Sequence, residues 1–323
     1  MADLFNDIPS LDLHQFTQGT AQERKKFVSA LGAAFNQIGF VAIKNHGLTD
    51  ELTDKLYTVV REFFALPEEV KRQYDRPELH GQRGYTSKGK EHAKGRTTAD
   101  LKEFYQIGQF VEDDDPIKEN YPDNIWPEDE LSQMHPIAKE AYQTLESAGQ
   151  QILQAIALDL GLEENYFDRH VHNGNSILRA IHYYPIENPE EVPDDAVRAA
   201  EHGDINLITL LMGASAEGLQ VLRRDGAWIP ITALPDQIIV NVGDMLARLT
   251  NDTLKSTIHR VVNPPRELLG TPRYSIPFFM HPRADMDLTC LDSCVSDGHP
   301  KQYEDMTAGE FLEERLREIG LKQ

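Results

Sequence analysis

Two histidines and one aspartate in this sequence have the residue types and spacing that suit a metal ion. His202 and Asp204 stand two positions apart, so an extended backbone would place both side chains on one side of the chain. His259 lies in a second segment with strand character and would complete the set. Two histidines and one carboxylate form a facial triad, which leaves coordination positions open on non-haem Fe(II). The three residues therefore predict an iron site that suits an oxygenase.

A receptor for a carboxylate is predicted fourteen residues after His259. Strand alternation places the guanidinium of Arg273 and the hydroxyl of Ser275 on one face, where together they can bind a carboxylate. A His-x-Asp pair alone is a weak signal in a chain with 12 histidines, because such pairs arise by chance. The pair combined with a third ligand and a carboxylate anchor is far more specific.

In this order, His202-x-Asp204, His259 and Arg273-x-Ser275 resemble the motifs of the 2-oxoglutarate/Fe(II)-dependent dioxygenases. More narrowly, the chain is similar to the branch that contains isopenicillin N synthase and the plant flavonoid and gibberellin oxygenases. The resemblance covers nearly the whole chain. It implies Fe(II), 2-oxoglutarate as cosubstrate and O2, and the oxidation of a small organic substrate by hydroxylation, desaturation or cyclisation, with release of succinate and CO2.

The resemblance also implies further contacts with the cosubstrate. In relatives a tyrosine touches it at the position that matches Tyr184, and the position that matches His182 is often asparagine. Alternation along the strand would place His182 and Tyr184 on one face. Both residues are therefore expected at the cosubstrate, although the histidine departs from the common pattern.

Four more residues are candidates for the surroundings of the iron. Phe104 and Gln106 match a strand that contributes to the substrate cavity in relatives, and Phe279 alternates onto the same face as Arg273. Asn241 is a candidate for orienting a metal ligand through a hydrogen bond. Each of these residues has an alternative interpretation as ordinary packing.

Three other functions stay open on the sequence. In isopenicillin N synthase the same Arg-x-Ser pair holds the substrate's own carboxylate, and no oxoacid is used. An ethylene-forming variant would fragment 2-oxoglutarate itself. A non-catalytic jelly-roll binding protein would use its histidines structurally and would take up no O2.

Composition excludes several classes of partner. The formal charge of -21 over 323 residues disfavours nucleic acid and anionic membrane surfaces. No apolar run is long enough for a membrane helix, and the start lacks the features of a signal peptide. Two cysteines are too few for a disulfide framework. We expect a cytoplasmic protein that acts on a small molecule, with no obligate protein partner evident.

Hydrophobic periodicity predicts an α+β fold in which helices support a β-rich core. Helical spacing covers Ala21–Ile38, Thr49–Ala65 and a long segment from Leu131 to Leu160. Beyond Ser176 the pattern changes to strands separated by turns, which favours a double-stranded β-helix, or jelly roll. The predicted strands are Ile177–Tyr184, Ile205–Leu211, Leu219–Arg223, Trp228–Pro230, Gln237–Val242, Met245–Leu249, Ser256–Val262 and Arg273–Met280.

These elements suggest four segments. Residues 1–115 form an amino-terminal dioxygenase module, and residues 116–175 form a helical support. Residues 176–285 form the Fe(II)/2-oxoglutarate β-helix module, and residues 286–323 form a carboxy-terminal segment with a terminal helix. The polar stretch 75–99 and the terminal helix are candidate lids.

Overall fold

Helices precede and flank two β-sheets in the computed structural model. It describes residues 7–318 apart from 80, 89, 91–101, 187–196, 214–217, 224, 232–233 and 235, so part of the candidate lid 75–99 lies outside the described residues. The helices are α1 His14–Thr17, α2 Ala21–Gln37, α3 Asp50–Phe64, α4 Glu68–Lys71, α5 Glu128–Leu131, α6 Met134–Asp159, α7 Asp168–Val171, α8 Asp244–Leu249 and α9 Ala308–Glu318.

Thirteen strands are described: β1 Ser10–Asp12, β2 Phe40–Lys44, β3 Gly84–Thr86, β4 Lys102–Gly108, β5 Ile177–Tyr183, β6 Val197–His202, β7 Ile208–Met212, β8 Leu219–Leu222, β9 Trp228–Pro230, β10 Gln237–Val242, β11 His259–Val262, β12 Arg273–Ser275 and β13 Pro277–Met280. The larger sheet runs β1-β2-β10-β7-β13-β5-β4-β3, with β12 also paired to β5. The smaller sheet runs β6-β11-β8-β9. This arrangement confirms the predicted jelly-roll core.

The predicted helices form where capping and periodicity place them. Thr20 and Glu23 make a reciprocal capping box at the start of α2, and Thr49 accepts a hydrogen bond from the backbone of Leu52 at the start of α3. The long helix α6 lies against the larger sheet, so closely that a Cβ on Gly149 would meet the sulfur of Met280 at 2.4 Å. This helix is the support that the sequence predicted.

The larger sheet has two faces with different neighbours. We call the side packed against α6 the outer face, and the side turned toward the smaller sheet the inner face. Outer-face side chains such as Leu178 and Phe278 join the main core cluster with Tyr142 of α6. Inner-face side chains such as Phe40 and Ile239 join a second cluster with residues of the smaller sheet. The inner face is therefore the interior of the jelly roll.

The predicted strand Met245–Leu249 is wrong, because these residues form the helix α8. All five are buried, so no polar face marks them as helical, and a short apolar run alone does not separate a buried strand from a buried helix. The extended segment around His202 is confirmed only in part. Strand β6 ends at His202, and Asp204 lies beyond it.

The amino-terminal and catalytic segments share one sheet, because β2 pairs with β10. The division at residues 115, 175 and 285 stays a prediction. The terminal helix α9 packs into the main core through Ala308 and Phe311. Among the described residues, no helix has the length and apolar character needed to cross a bilayer.

Candidate active site

The two predicted histidine ligands lie side by side on the smaller sheet. His259 at the start of β11 pairs directly with His202 at the end of β6. Nε2 of His259 lies 3.8 Å from Oδ1 of Asp204, and Nε2 of His202 lies 3.9 Å from the same atom. The three donor atoms all fall within 4.8 Å of one another, so the structure brings the predicted triad together.

Backbone contacts orient both imidazoles toward the centre of the triad. Nδ1 of His202 lies 2.7 Å from the carbonyl oxygen of Ala200, and Nδ1 of His259 lies 3.2 Å from that of Thr257. A carbonyl oxygen only accepts, so each Nδ1 donates a hydrogen bond, and Nε2 is the ring nitrogen turned toward the other triad residues. Such contacts to the far nitrogen are usual for histidines that bind metals.

The carboxylate of Asp204 is oriented in the same way. Its Oδ2 accepts hydrogen bonds from Oγ1 of Thr209 at 2.6 Å and from Nδ2 of Asn241 at 2.8 Å, which directs Oδ1 to the two imidazoles. The backbone of Asp204 is fixed as well, because its carbonyl accepts from the backbone N–H of Asp244 at the start of α8. The structure thus places Asn241 where the sequence predicted it, and it adds Thr209.

The charge states of Asp204 and His259 suit the binding of a cation. Burial alone would raise the pKa of Asp204, but the neighbouring histidines and the two hydrogen bonds lower it overall. Burial lowers the pKa of His259 to about 4, so its imidazole is neutral at pH 7. An anionic oxygen and neutral imidazole nitrogens are the donors that Fe(II) takes in a facial triad. The residues therefore fit the ion that the sequence predicted.

The predicted carboxylate anchor lies on the inner face of the larger sheet. Strand β12 pairs with β5 so that Arg273 is opposite Tyr183 and Ser275 is opposite Ile181. The guanidinium carbon of Arg273 lies 5.1 Å from the centre of the Tyr183 ring. Ser275 and Phe279 are an even number of residues apart, so strand alternation places their side chains on the same face. Phe279 is opposite Thr209, whose hydroxyl is hydrogen-bonded to Asp204. Anchor and triad therefore share one interior.

His182 and Tyr184 do not reach this interior, contrary to the prediction. They lie on the outer face, where Nδ1 of His182 is 2.7 Å from Oε1 of Glu103 and its ring stacks on Tyr274 at 4.8 Å. The ring of Tyr184 lies 4.9 Å from that of His182. The chain carries tyrosine at two adjacent positions, so alternation offers one to each face. Tyr183 is the tyrosine that the structure places beside Arg273.

The predicted pocket residues share the inner face with the anchor. Phe104 packs with Ile181 and Tyr183 in a small apolar cluster. Gln106 is opposite Arg179 on β5, and the guanidinium of Arg179 lies between the rings of Phe104 and Phe279. The structure therefore brings Phe104, Gln106 and Phe279 together around Arg179, and their contact with a substrate stays a prediction.

Two residues of this region were missed from the sequence. Arg179 belongs to the same odd-numbered face of β5 as Tyr183, so the correct choice of face would have revealed it. His281 follows β13, and burial lowers its pKa to about 4. The charge of Asp204 raises that pKa and the charge of Arg179 lowers it, which places His281 within electrostatic reach of both. Its Nδ1 is buried and has no hydrogen-bond partner among the described residues.

Comparison with known proteins finds the same family along the chain. Residues 8–129 match the model of the amino-terminal region of non-haem dioxygenases in morphine synthesis, and residues 174–282 match that of the 2OG-Fe(II) oxygenase superfamily. A proline hydroxylase of Petromyces alliaceus is 33% identical over 96% of this chain and 98% of its own length.

Solved structures agree with these matches. A 2OG-Fe(II) oxygenase family protein from Caulobacter crescentus is 42% identical and superposes with a TM-score of 0.85, covering 97% of this chain and 99% of its own. A Neurospora crassa protein solved in complex with alpha-KG is 32% identical, with a TM-score of 0.83 and 96% of each chain covered. By these matches and by its His-Asp-His triad, the chain belongs to the 2-oxoglutarate/Fe(II)-dependent dioxygenase family and is an oxygenase of that kind.

Proposed function

We propose that His202, Asp204 and His259 hold the ferrous ion, and that Arg273, Ser275 and Tyr183 hold the distal carboxylate of 2-oxoglutarate. The single observation that carries this assignment is the shared interior. There β12 and β13 connect the anchor to β7, whose Thr209 donates a hydrogen bond to Asp204. A guanidinium beside a buried hydroxyl is well suited to a carboxylate. Tyr183 takes the place that the sequence had given to Tyr184.

When bound, the iron and 2-oxoglutarate supply the oxidising chemistry with O2, which yields succinate, CO2 and an oxidised small organic substrate. The protein positions the reacting groups. The backbone contacts of both histidines and the two hydrogen bonds to Asp204 fix the donor atoms before the ion arrives. The apolar side chains of the interior exclude water from the place where the substrate is oxidised.

The substrate is proposed to be a small molecule. The Neurospora crassa relative has also been solved in complex with alpha-KG and thymine, at 31% identity to this chain. A relative of this similarity therefore admits a small planar molecule together with the oxoacid. The assignment to the isopenicillin N synthase-like branch rests on the motifs alone. A cytoplasmic location is supported by two buried cysteines that are not disulfide-bonded.

The experiment uses anaerobic protein reconstituted with Fe(II). Addition of 2-oxoglutarate should produce a visible charge-transfer absorption, and admission of O2 should then produce succinate. An oxidase that uses no oxoacid would give neither signal but would still consume O2 with its substrate. A non-catalytic binding protein would retain no iron. Either result would contradict the proposed function.

A further inference from the structure

We propose that His281 binds the substrate by donating a hydrogen bond from Nε2 to a carbonyl oxygen, so that the substrate is a small molecule with a carbonyl group. This inference rests on the proposed function, since it assigns a substrate contact in the same interior. His281 directly follows β13 and belongs neither to the triad nor to the carboxylate anchor. It is a nitrogen-bearing side chain that the assigned chemistry does not use.

Strand alternation and electrostatics agree on where the imidazole of His281 lies. Met280 points to the outer face, because a Cβ on Gly149 of α6 would meet its sulfur at 2.4 Å. Alternation therefore directs the next side chain, that of His281, to the inner face. The charge of Asp204 raises the pKa of His281 and the charge of Arg179 lowers it, which places the ring within reach of both groups. A molecule bound by this ring would lie beside the iron ligands.

The backbone of His281 is fixed before any ligand binds. Its N–H donates to Oγ of Ser176 at 3.2 Å, and that hydroxyl donates to its carbonyl oxygen at 3.3 Å. The carbonyl of Pro282 accepts from the backbone N–H of Asn175 at 3.2 Å. Gly174 packs so closely that a Cβ there would meet the carbonyl oxygen of His281 at 2.3 Å. A side chain on so fixed a backbone needs little reorganisation to bind a ligand.

The surroundings of the ring decide which nitrogen carries the proton. Nδ1 of His281 is buried and has no hydrogen-bond partner among the described residues, although the residue as a whole is partly exposed. Burial lowers the pKa of His281 to about 4, so the ring is neutral at pH 7. A buried N–H without an acceptor is rare, so the neutral ring is more stable with its lone pair on Nδ1 and its proton on Nε2. Because Nδ1 is buried, Nε2 is also the ring nitrogen that a ligand can reach.

This arrangement differs from that of the two metal-binding histidines. Nδ1 of His202 and Nδ1 of His259 each lie close to a backbone carbonyl, which leaves Nε2 to the ion. His281 has no such contact at Nδ1 among the described residues. With its proton on Nε2, its ring is a hydrogen-bond donor rather than a metal ligand. A carbonyl oxygen accepts without bringing a donor that needs its own partner, so it suits an apolar interior better than a hydroxyl does.

The test compares ketones with alkenes of the same shape. Acetophenone is paired with α-methylstyrene, and cyclohexanone with methylenecyclohexane, so each pair differs only in the carbonyl oxygen. The protein is held under anaerobic conditions with Fe(II) and saturating 2-oxoglutarate, and binding is followed by the change in the charge-transfer absorption. The ratio of ketone affinity to alkene affinity is compared between the unmodified protein and each variant, because the different hydration of the two probes cancels in that comparison.

Substitutions at His281 should change this ratio in a defined order. His281→Phe keeps a ring but removes both nitrogens, so for at least one pair the ratio should fall about three- to tenfold, as the loss of one neutral hydrogen bond implies. His281→Gln can place an amide N–H near the position of Nε2 and should keep most of the ratio, whereas His281→Asn places its amide near Nδ1 and should lose it. His135→Phe is the matched control, because that ring stacks on Trp126 at 4.3 Å outside the interior, and the ratio should not change.

NMR of protein with isotope-labelled histidine tests the tautomer directly. The protein is loaded with 2-oxoglutarate and with Zn(II), which is diamagnetic, in place of Fe(II). The ring signals that disappear in His281→Phe should show a protonated Nε2 and an unprotonated Nδ1. A proton on Nδ1 would overturn the inference, because Nε2 could then not donate.

The outcomes separate this inference from the proposed function. If the absorption band forms but the ratio is the same in His281→Phe, or no ketone binds, the imidazole does not select a carbonyl group, and the iron and 2-oxoglutarate assignments stand. If His281→Phe raises the Kd for 2-oxoglutarate instead, the ring contacts the cosubstrate and the inference is wrong. If no band forms in the unmodified protein, the proposed function fails and this inference fails with it.

Discussion

The two faces of the larger sheet around β5 hold charged side chains in different ways. On the outer face, Glu103 accepts hydrogen bonds from Lys71 at 2.7 Å and Tyr85 at 2.6 Å, and its other oxygen lies 2.7 Å from Nδ1 of His182. On the inner face, Arg179 contacts an amide and two rings, and the guanidinium of Arg273 lies near the ring of Tyr183.

The outer cluster shows that buried charged groups can serve the structure alone. The outer network brings together a cation, an anion and two hydrogen-bond donors, so each charge is compensated by the protein itself. On the inner face, the described contacts of Arg179 and Arg273 are with an amide and aromatic rings. A buried cluster of titratable residues is therefore not in itself a sign of function. The histidine in the outer cluster, His182, was predicted to bind the cosubstrate and lies on the wrong face for it.

The largest effect should come from the metal ligands, one of which the inner face supports through Asn241. Asp204→Ala removes the anionic donor, so we expect the protein to lose iron and to form no succinate above background. Asn241→Ala removes only a hydrogen bond to that carboxylate, and it should weaken iron binding by about 10- to 100-fold. Iron per protein after anaerobic dialysis distinguishes the two. Full iron content in both variants would contradict the assignment of the triad.

Substitution of Glu103 on the outer face should cause a large loss of stability without a loss of affinity for 2-oxoglutarate. Glu103→Ala leaves the buried Lys71 with only the more distant carboxylate of Glu68, at 3.5 Å, which should lower the free energy of unfolding by up to about 3–5 kcal/mol. Urea unfolding measures this change. The affinity for 2-oxoglutarate of the folded variant should stay within about twofold, because the inner face is intact. A large drop in that affinity would mean that the two faces are not independent.

The pH dependence of stability offers a control for the same network. Burial alone would raise the pKa of Glu103, but the hydrogen bonds from His182, Lys71 and Tyr85 lower it overall. A carboxylate with a lowered pKa in the folded state stabilises fully above its unfolded pKa of about 4.3, and this contribution is lost as the pH falls through the folded pKa. The stability difference between the unmodified protein and Glu103→Ala should therefore shrink below about pH 4. A difference that grows with acid would contradict this account.

The anchor should show an intermediate effect. Arg273→Leu removes a charge-assisted contact of about 1.5–3 kcal/mol, so the Kd for 2-oxoglutarate should rise about 10- to 100-fold. Iron binding should be unchanged, because Arg273 does not contact the triad residues. Arg273→Lys keeps the charge but not the planar fork, and its Kd should lie between the two. Unchanged affinity in Arg273→Leu would show that this residue is not the anchor.

The triad and the anchor could be proposed from the sequence because residue type and order carry that information. His202, Asp204, His259, Arg273 and Ser275 meet in one interior although 73 positions separate the first from the last. Periodicity also predicted the long helix α6, whose apolar positions recur at threes and fours over many turns.

Other features could not be predicted because they depend on tertiary contacts. Nothing local decides which of Tyr183 and Tyr184 faces the interior, since that choice is made by the register of β5 against β12. Arg179 was missed for the same reason, because the sequence analysis chose the other face of β5. Residues Asp244–Leu249 are helical because the first backbone N–H groups of α8 bond to carbonyls at Asp204 and Ile205, a long-range contact that no local pattern carries.

The smallest expected effect tests that choice of face directly. Tyr183→Phe removes the hydroxyl of the ring that lies 5.1 Å from the Arg273 guanidinium carbon, and the loss of one hydrogen bond of about 1 kcal/mol to the cosubstrate should raise the Kd for 2-oxoglutarate about fivefold. Tyr184→Phe is the matched variant, because it removes the same group one residue away on the outer face, and its Kd should not change. Both values come from anaerobic titration of the charge-transfer absorption. If Tyr184→Phe weakened binding and Tyr183→Phe did not, the strand would present the opposite face to the cosubstrate, and the assignment of Tyr183 would be wrong.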